Sequence, residues 1–223
     1  MDVNERYSRQ RDIVPAQRLK NLSITIIGVG ALGRQLAIQL AAMGAPKLQL
    51  IDFDTVEDGN LASQGYHEID LGSLKVNATA RLCQLTNSSI TVDAAPERFR
   101  RSMAVGDVVF AAVDAISTRE LIWNAVKDRT TFFGDGRMTA EVIRVLTAGD
   151  AAGRRHYPTT LFAQEEAFTG ACTSKMTIFT ANIAAGLLLS QFSRWLRGLP
   201  TDPDLTLNLL SSEMTAMTEA PCH

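Results

Sequence analysis

SITIIGVGALGRQLAIQLAAMGAPKLQLIDFD, residues 23–54, decides how the rest of the chain is read. Residues 23–27 are a short β-branched apolar run, and Gly28, Gly30 and Gly33 follow in the spacing of a dinucleotide-type phosphate loop. A backbone without Cβ turns tightly and comes close to a phosphate, whose charge then rests on the free N–H groups of a helix N-terminus. Leu32, Leu36, Leu40 and Met43 recur at helical spacing, and Gly44 and Pro46 end the helix before a second strand. Asp52 closes that strand about 20 residues past the third glycine, where such folds hold a ribose. The stretch therefore predicts strand, loop, helix and strand around a nucleotide.

The flanking sequence extends the same pattern. Residues 1–22 carry Arg6, Arg9, Arg11 and Arg18 among few apolar residues, which predicts a helix or arm laid on the outside. Residues 55–72 are polar with several turn formers and read as a long functional loop. Lys75 opens a helical pattern through Val76, Ala80 and Leu85, and residues 90–94 alternate like a strand. A buried-type strand over 107–113 ends at Asp114, and a helix follows over 116–126. Residues 131–133 and 142–146 predict two strands around a turn, Gly134-Asp135-Gly136. Residues 149–172 form a polar crossover loop, residues 173–196 a long apolar helix, and 205–210 with 214–217 a terminal hairpin. Strands separated by helices give an α/β class: a doubly wound, mostly parallel sheet, extended near the C-terminus by antiparallel strands, in one domain over residues 1–223.

Composition narrows the function classes. A net charge of −2 with mixed signs along 223 residues supplies no basic field for nucleic acid. Cys83, Cys172 and Cys222 are widely separated, so neither a disulfide framework nor a paired zinc site is readable, and a reducing, cytoplasmic location fits. The N-terminus is polar and the longest nearly apolar run, 183–189, is too short to span a bilayer. His67, His156 and His223 have no metal-like spacing.

Six motifs in order sharpen the nucleotide reading: Arg6-Tyr7-Ser8-Arg9-Gln10, the three glycines, Asp52-Phe53-Asp54-Thr55-Val56, Asn60-Leu61, Lys75-Val76, and Asp114 followed by Thr118-Arg119. Together they resemble the ThiF/MoeB family, which shares its Rossmann-like adenylation domain with ubiquitin-activating enzymes. The resemblance implies that ATP and Mg2+ activate the C-terminal glycine carboxylate of a ubiquitin-like protein as an acyl-adenylate. It implies that Gly28, Gly30 and Gly33 admit the nucleotide and that Asp52 binds the ribose. Asn60 and Lys75 would then hold phosphate, Asp54 and Gln64 would complete the nucleotide contacts, and Asp114 would hold magnesium. Arg9 matches an arginine that reaches the γ-phosphate of the other protomer, which requires a homodimer. Compact members of this kind also occur in defence-type bacterial operons. A sulfur-carrier adenylyltransferase, or a weakened scaffold that binds nucleotide and a ubiquitin-like tail, are the alternatives.

Two departures bear on that implication. The family's usual arginine after Asn-Leu-x is Ser63 here, so a phosphate cation is missing; Arg137, in the expected turn, and Arg34, after the glycine loop, are the candidates to replace it, and bracing the turn is the other reading of Arg137. The paired cysteines that hold zinc in many relatives are absent, so no zinc is expected. Cys172 precedes Thr173 and Ser174, good N-caps for the following helix, whose dipole would favour a thiolate. Cys172-Thr173 also resembles the thioester cysteine of ubiquitin-activating enzymes, which passes its cargo to a conjugating enzyme. The alternative for Cys172 is a small buried residue beside a helix cap.

Overall fold

The computed structural model describes residues 3–161 and 176–217. A short helix α1 (Val3–Arg6), a 3-10 turn (Ser8–Gln10) and α2 (Ala16–Leu19) lead into β1 (Ser23–Ile27), α3 (Ala31–Met43) and β2 (Lys47–Ile51). Then come α4 (Asp58–Gln64), α5 (Lys75–Thr86), β3 (Thr91–Ala95), β4 (Val108–Ala111) and α6 (Ile116–Val126). The strands β5 (Phe132–Thr139) and β6 (Val142–Thr147), the helices α7 (Ala151–His156) and α8 (Ile178–Leu196), and the hairpin β7 (Asp204–Asn208) and β8 (Glu213–Met217) complete it.

These strands form one eight-stranded sheet in the order β3-β2-β1-β4-β5-β6-β7-β8. The first five run parallel and the last three join antiparallel, as the doubly wound reading expects. Strand alternation sorts the apolar residues onto two faces. Ile24, Ile26, Val108, Phe110 and Phe132 pack beneath α3, α5 and α8, with Leu36, Leu40, Val76, Leu188 and Phe192. On the other face Val109, Ala111, Phe133 and Leu146 meet Ile122 and Trp123 of α6 and Tyr157 just after α7.

Register sets the site. Ile51, Ile27, Ala111 and Asp135 occupy one rung across β2, β1, β4 and β5. The chain therefore leaves β1 and β2 side by side, at Gly28 and Asp52, and leaves β4 next to them. Because β1 connects to β2 on one side while β4 lies on the other, this edge is the switch point where open α/β sheets hold ligands.

Several expectations change. Residues 55–72 contain α4 and a 3-10 turn, Glu68–Asp70, in place of a plain loop; Glu57 and Asn60 cap α4 reciprocally. The turn expected at Gly134-Asp135-Gly136 is continuous β5, and the chain reverses at Ala140, which has φ 53°. Gly134 and Gly136 are there because Phe110, Leu188 and Leu32 come too close for a Cβ. Within the expected crossover loop, Asp150 caps α7 through Gly153 N–H at 2.8 Å. The N-terminal arm is not wholly external, since Val14 and Leu19 enter the core.

Candidate active site

The glycine loop closes by backbone contact. Gly28 has φ 88°, and a Cβ on it would run into the Ala112 carbonyl, while a Cβ on Gly33 would run into the carbonyl of Gly28. The helix α3 then starts at Ala31 with Gly30 at its N-cap and no side-chain cap. Its first N–H groups are thus left for an acceptor from outside, and the positive end of the helix faces the same way.

Asp52 holds this loop in position. Its Oδ2 accepts from Val29 N–H at 2.6 Å and its Oδ1 from Asp54 N–H at 2.9 Å. From behind, the Tyr66 hydroxyl donates to the Val29 carbonyl at 2.6 Å, so both sides of the Val29 peptide are pinned. Arg34 lies over the Tyr66 ring, 4.6 Å from its centroid, and is only 2% exposed. Burial lowers the Arg34 pKa and raises that of Tyr66. Arg34 Nε and Nη2 are buried with no hydrogen-bond partner among the described residues.

Lys75 stands at the start of α5 with its N–H on the Asp54 carbonyl. Its ammonium lies 3.2 Å from Asp54 Oδ2, and the residue is 6% exposed. Asn60 uses its side-chain oxygen to accept from Glu57 N–H at 3.0 Å. Ser63 donates back to the Gly59 carbonyl of its own helix at 2.9 Å, so it supplies nothing in place of a cation. Gln64 Oε1 is buried without a partner and is the atom nearest the open side of Gly30, a cradle with an acceptor awaiting a donor.

Asp114 is exposed beyond β4. Arg119, on the first turn of α6, anchors the residue before it by donating to the Val113 carbonyl, and also pairs with Asp135 and donates to the Gly136 carbonyl at 3.2 Å. Asp135 is fully buried and further accepts from Arg137 Nε at 2.9 Å and the Tyr157 hydroxyl at 3.0 Å. Arg137 is therefore in a strand, bound to Asp135 and to the Thr160 carbonyl and hydroxyl at 2.9 and 3.0 Å, and its donors are not free for a phosphate. Among the described residues no three His, Cys, Asp or Glu side chains converge as a metal cluster. A lone exposed carboxylate fits magnesium that arrives with nucleotide phosphates, which take most of its coordination sphere.

Arg9 sits apart. Gln10 Nε2 donates to the Met43 carbonyl at 2.7 Å and the Tyr7 ring covers Gly44, so this segment is bound to the far end of α3. Thirteen helical residues, about 20 Å, separate it from the glycine loop. A cavity of about 780 Å³, lined by Arg18, Trp195 and Thr201, also opens at that opposite edge and takes no part in the site.

The ThiF family profile matches residues 7–221. The chain belongs to the ThiF family. Curated relatives include the Arabidopsis thaliana adenylyltransferase and sulfurtransferase MOCS3, 36% identical over 129 residues, which is 52% of this chain and 28% of that protein. Another is the probable adenylyltransferase/sulfurtransferase MoeZ of Mycobacterium tuberculosis H37Rv, 33% identical over 132 residues, 54% of this chain and 33% of MoeZ. This chain thus matches about a third of such relatives' length. Escherichia coli MccB, solved with ATP, has the same fold at a TM-score of 0.74 and 17% identity, covering 98% of this chain and 73% of MccB. PaaA superposes at a TM-score of 0.76 and 21% identity over 96% of this chain and 72% of its own. The ThiF-family fold accounts for the parallel half of the sheet and its antiparallel extension alike.

Cys83, read as core from its helix stripe, is buried, and burial pushes its thiol pKa up to about 12, so it is no nucleophile. Cys172 and Cys222 lie outside the described residues. The expected cap is corrected: α8 begins at Ile178, and Thr177 caps it through Thr180 N–H at 3.3 Å. Thr173 and Ser174 lie outside the described residues. Missed altogether at the sequence level were Tyr66, Asp135 and Tyr157; a lone tyrosine or a Gly-Asp-Gly run carries no sign of the partners it meets in space.

Proposed function

We propose that this chain is an ATP-dependent adenylyltransferase that activates the C-terminal carboxylate of a ubiquitin-like protein or peptide tail. The observation that supports it is the convergence of an uncapped helix N-terminus, Asp52, Lys75 and the strand that leads to Asp114 on one sheet edge. A carboxylate oxygen attacks the α-phosphorus, the bond to the β-phosphate breaks, and pyrophosphate leaves with the electron pair; no proton transfer is needed. The difficulty is accumulated negative charge. The α3 N–H groups, Gly30 and Lys75 meet it from the protein, Asp52 and Gln64 orient the ribose side, and Asp54 and Asn60 hold Lys75 and α4 in place. Magnesium held at Asp114 would neutralise phosphate charge when bound.

Its own loop is about 20 Å away along α3, which supports a role for Arg9 in the site of another copy. An Arg9→Ala protein and an Asp114→Ala protein, each inactive in pyrophosphate exchange, should recover up to about a quarter of wild-type activity when mixed and allowed to exchange subunits, the statistical share of intact sites. Absence of recovery after demonstrated exchange would rule out an in-trans role for Arg9.

The thioester step on Cys172, with transfer to a conjugating enzyme, rests on sequence alone, since Cys172 lies outside the described residues. Cys172→Ala should leave pyrophosphate exchange intact; a dithiothreitol-sensitive adduct that disappears in this variant would establish the thioester, and an adduct that persists would place it elsewhere. Without it, the chemistry is that of a sulfur-carrier adenylyltransferase. Ser63, bonded to its own helix, favours one further reading, a scaffold that binds ATP and tail without turnover. ATP binding with no exchange under the cognate partner would select the scaffold.

A further inference from the structure

We propose that the buried Arg119–Asp135–Arg137 cluster sets the electrostatic field at the Asp114 seat and supplies the positive charge that Ser63 does not. The proposal rests on the adenylation reading of that seat. Two guanidinium groups, Arg119 buried and Arg137 partly exposed, share the one carboxylate of Asp135, which leaves one positive charge in surplus among the described ion pairs. Its place is fixed by register: Asp135 pairs with Ala111, and Ala111 with Ile27, the residue before the glycine loop. Two strand spacings, about 10 Å, separate Asp135 from β1. Arg119 brings the charge closer, since it holds the carbonyl of Val113, the residue before Asp114.

Among the described residues, no carboxylate besides Asp135 forms an ion pair with Arg119 or Arg137. Tyr157 donates to Asp135, with its own pKa raised by burial, so it adds no charge. Trp123 and Phe133 close against Tyr157 at ring separations of 4.9 Å and exclude water from that side, with Trp123 and Phe133 themselves 5.2 Å apart. Arg144 pairs with Asp204 at 2.6 Å, and the His156 ring nitrogen lies 2.8 Å from the same carboxylate. A fixed charge in such a dry pocket acts over a distance that a solvated arginine could not. Arg119 and Arg137 touch no phosphate in this scheme; they are positioning residues for the charge balance of the seat.

The prediction has opposite signs for the two ligands. Removing one positive charge in Arg137→Met should tighten Mn2+ binding to the nucleotide-saturated protein by about five-fold and weaken metal-free AMPCPP binding by a similar factor. Asp135→Asn, which adds positive charge, should do the reverse. Mn2+ is read by electron paramagnetic resonance of the free ion and nucleotide by calorimetry, with thermal unfolding as the check on the fold. Arg137→Met retains the neutral Arg119–Asp135 pair and decides the matter alone if Asp135→Asn does not fold. Both affinities unchanged, or both weakened in natively melting Arg137→Met, would overturn the proposal while leaving the adenylation reading standing. Wild-type protein that binds neither ligand would remove that reading, and this inference with it.

Discussion

Lys75→Met is expected to reduce partner-dependent exchange of pyrophosphate into ATP by about 100- to 1000-fold, the range seen when one preorganised charge-stabilising group is removed. The lysine is held rather than free: its backbone is bonded to Asp54, its stem is buried, and its ammonium is 3.2 Å from Asp54 Oδ2. A cation fixed in this way needs little reorganisation when phosphate charge develops beside it. Methionine fills nearly the same space, and Asp54, whose side chain is 46% exposed, can turn to water. Unfolding by urea should therefore change by less than about 1 kcal/mol. Wild-type exchange in Lys75→Met would reduce the lysine to a structural partner of Asp54.

Gly33→Ala is expected to cause the largest loss of stability, about 3 kcal/mol or more, together with loss of nucleotide binding. The added methyl group would enter the Gly28 carbonyl and press on Ile26, and neither is the flexible end of a side chain. Relief requires moving α3 off β1, which reopens the loop. Gly59→Ala is the matched control, because nothing lies near its Cβ position on the exposed helix α4. There, alanine should be neutral or stabilising by up to about 1 kcal/mol through helix propensity. Equal melting of the two variants would show that the helix–strand contact at Gly33 is not tight.

The same close contacts explain which parts of the fold could be read from the chain. β1, α3 and β2 were legible because apolar periodicity and glycine punctuation agree there. Asp52 and Asp114 were legible as strand-end carboxylates for the same reason. α4 was not, since it has no buried residue and so no apolar stripe; its Glu57–Asn60 capping box was the available signal. Asp150 was the corresponding signal for α7, which buries only a glycine. Gly134 and Gly136 misled in the opposite direction. They look like a turn, but their missing side chains make room for Phe110, Leu188 and Leu32 across a packed sheet, a fact of tertiary structure. Asp135 between them was accordingly taken for a turn residue, although it is the buried counter-ion of two arginines. The long helix is described from Ile178 with Thr177 as its cap, a start that sequence does not single out because Thr173, Ser174 and Thr177 are equally good caps on paper.

The most direct test of the account is chemical capture of the activated carboxylate. The protein is incubated with candidate ubiquitin-like proteins or peptides that carry a free C-terminus, ATP, Mg2+ and hydroxylamine, and the partner's C-terminus is read by mass spectrometry while the nucleotide product is separated by chromatography. The account predicts a C-terminal hydroxamate and a matching amount of AMP, both dependent on ATP and Mg2+ and both lost in Lys75→Met. Release of ADP, or an unmodified partner at saturating nucleotide, would contradict it.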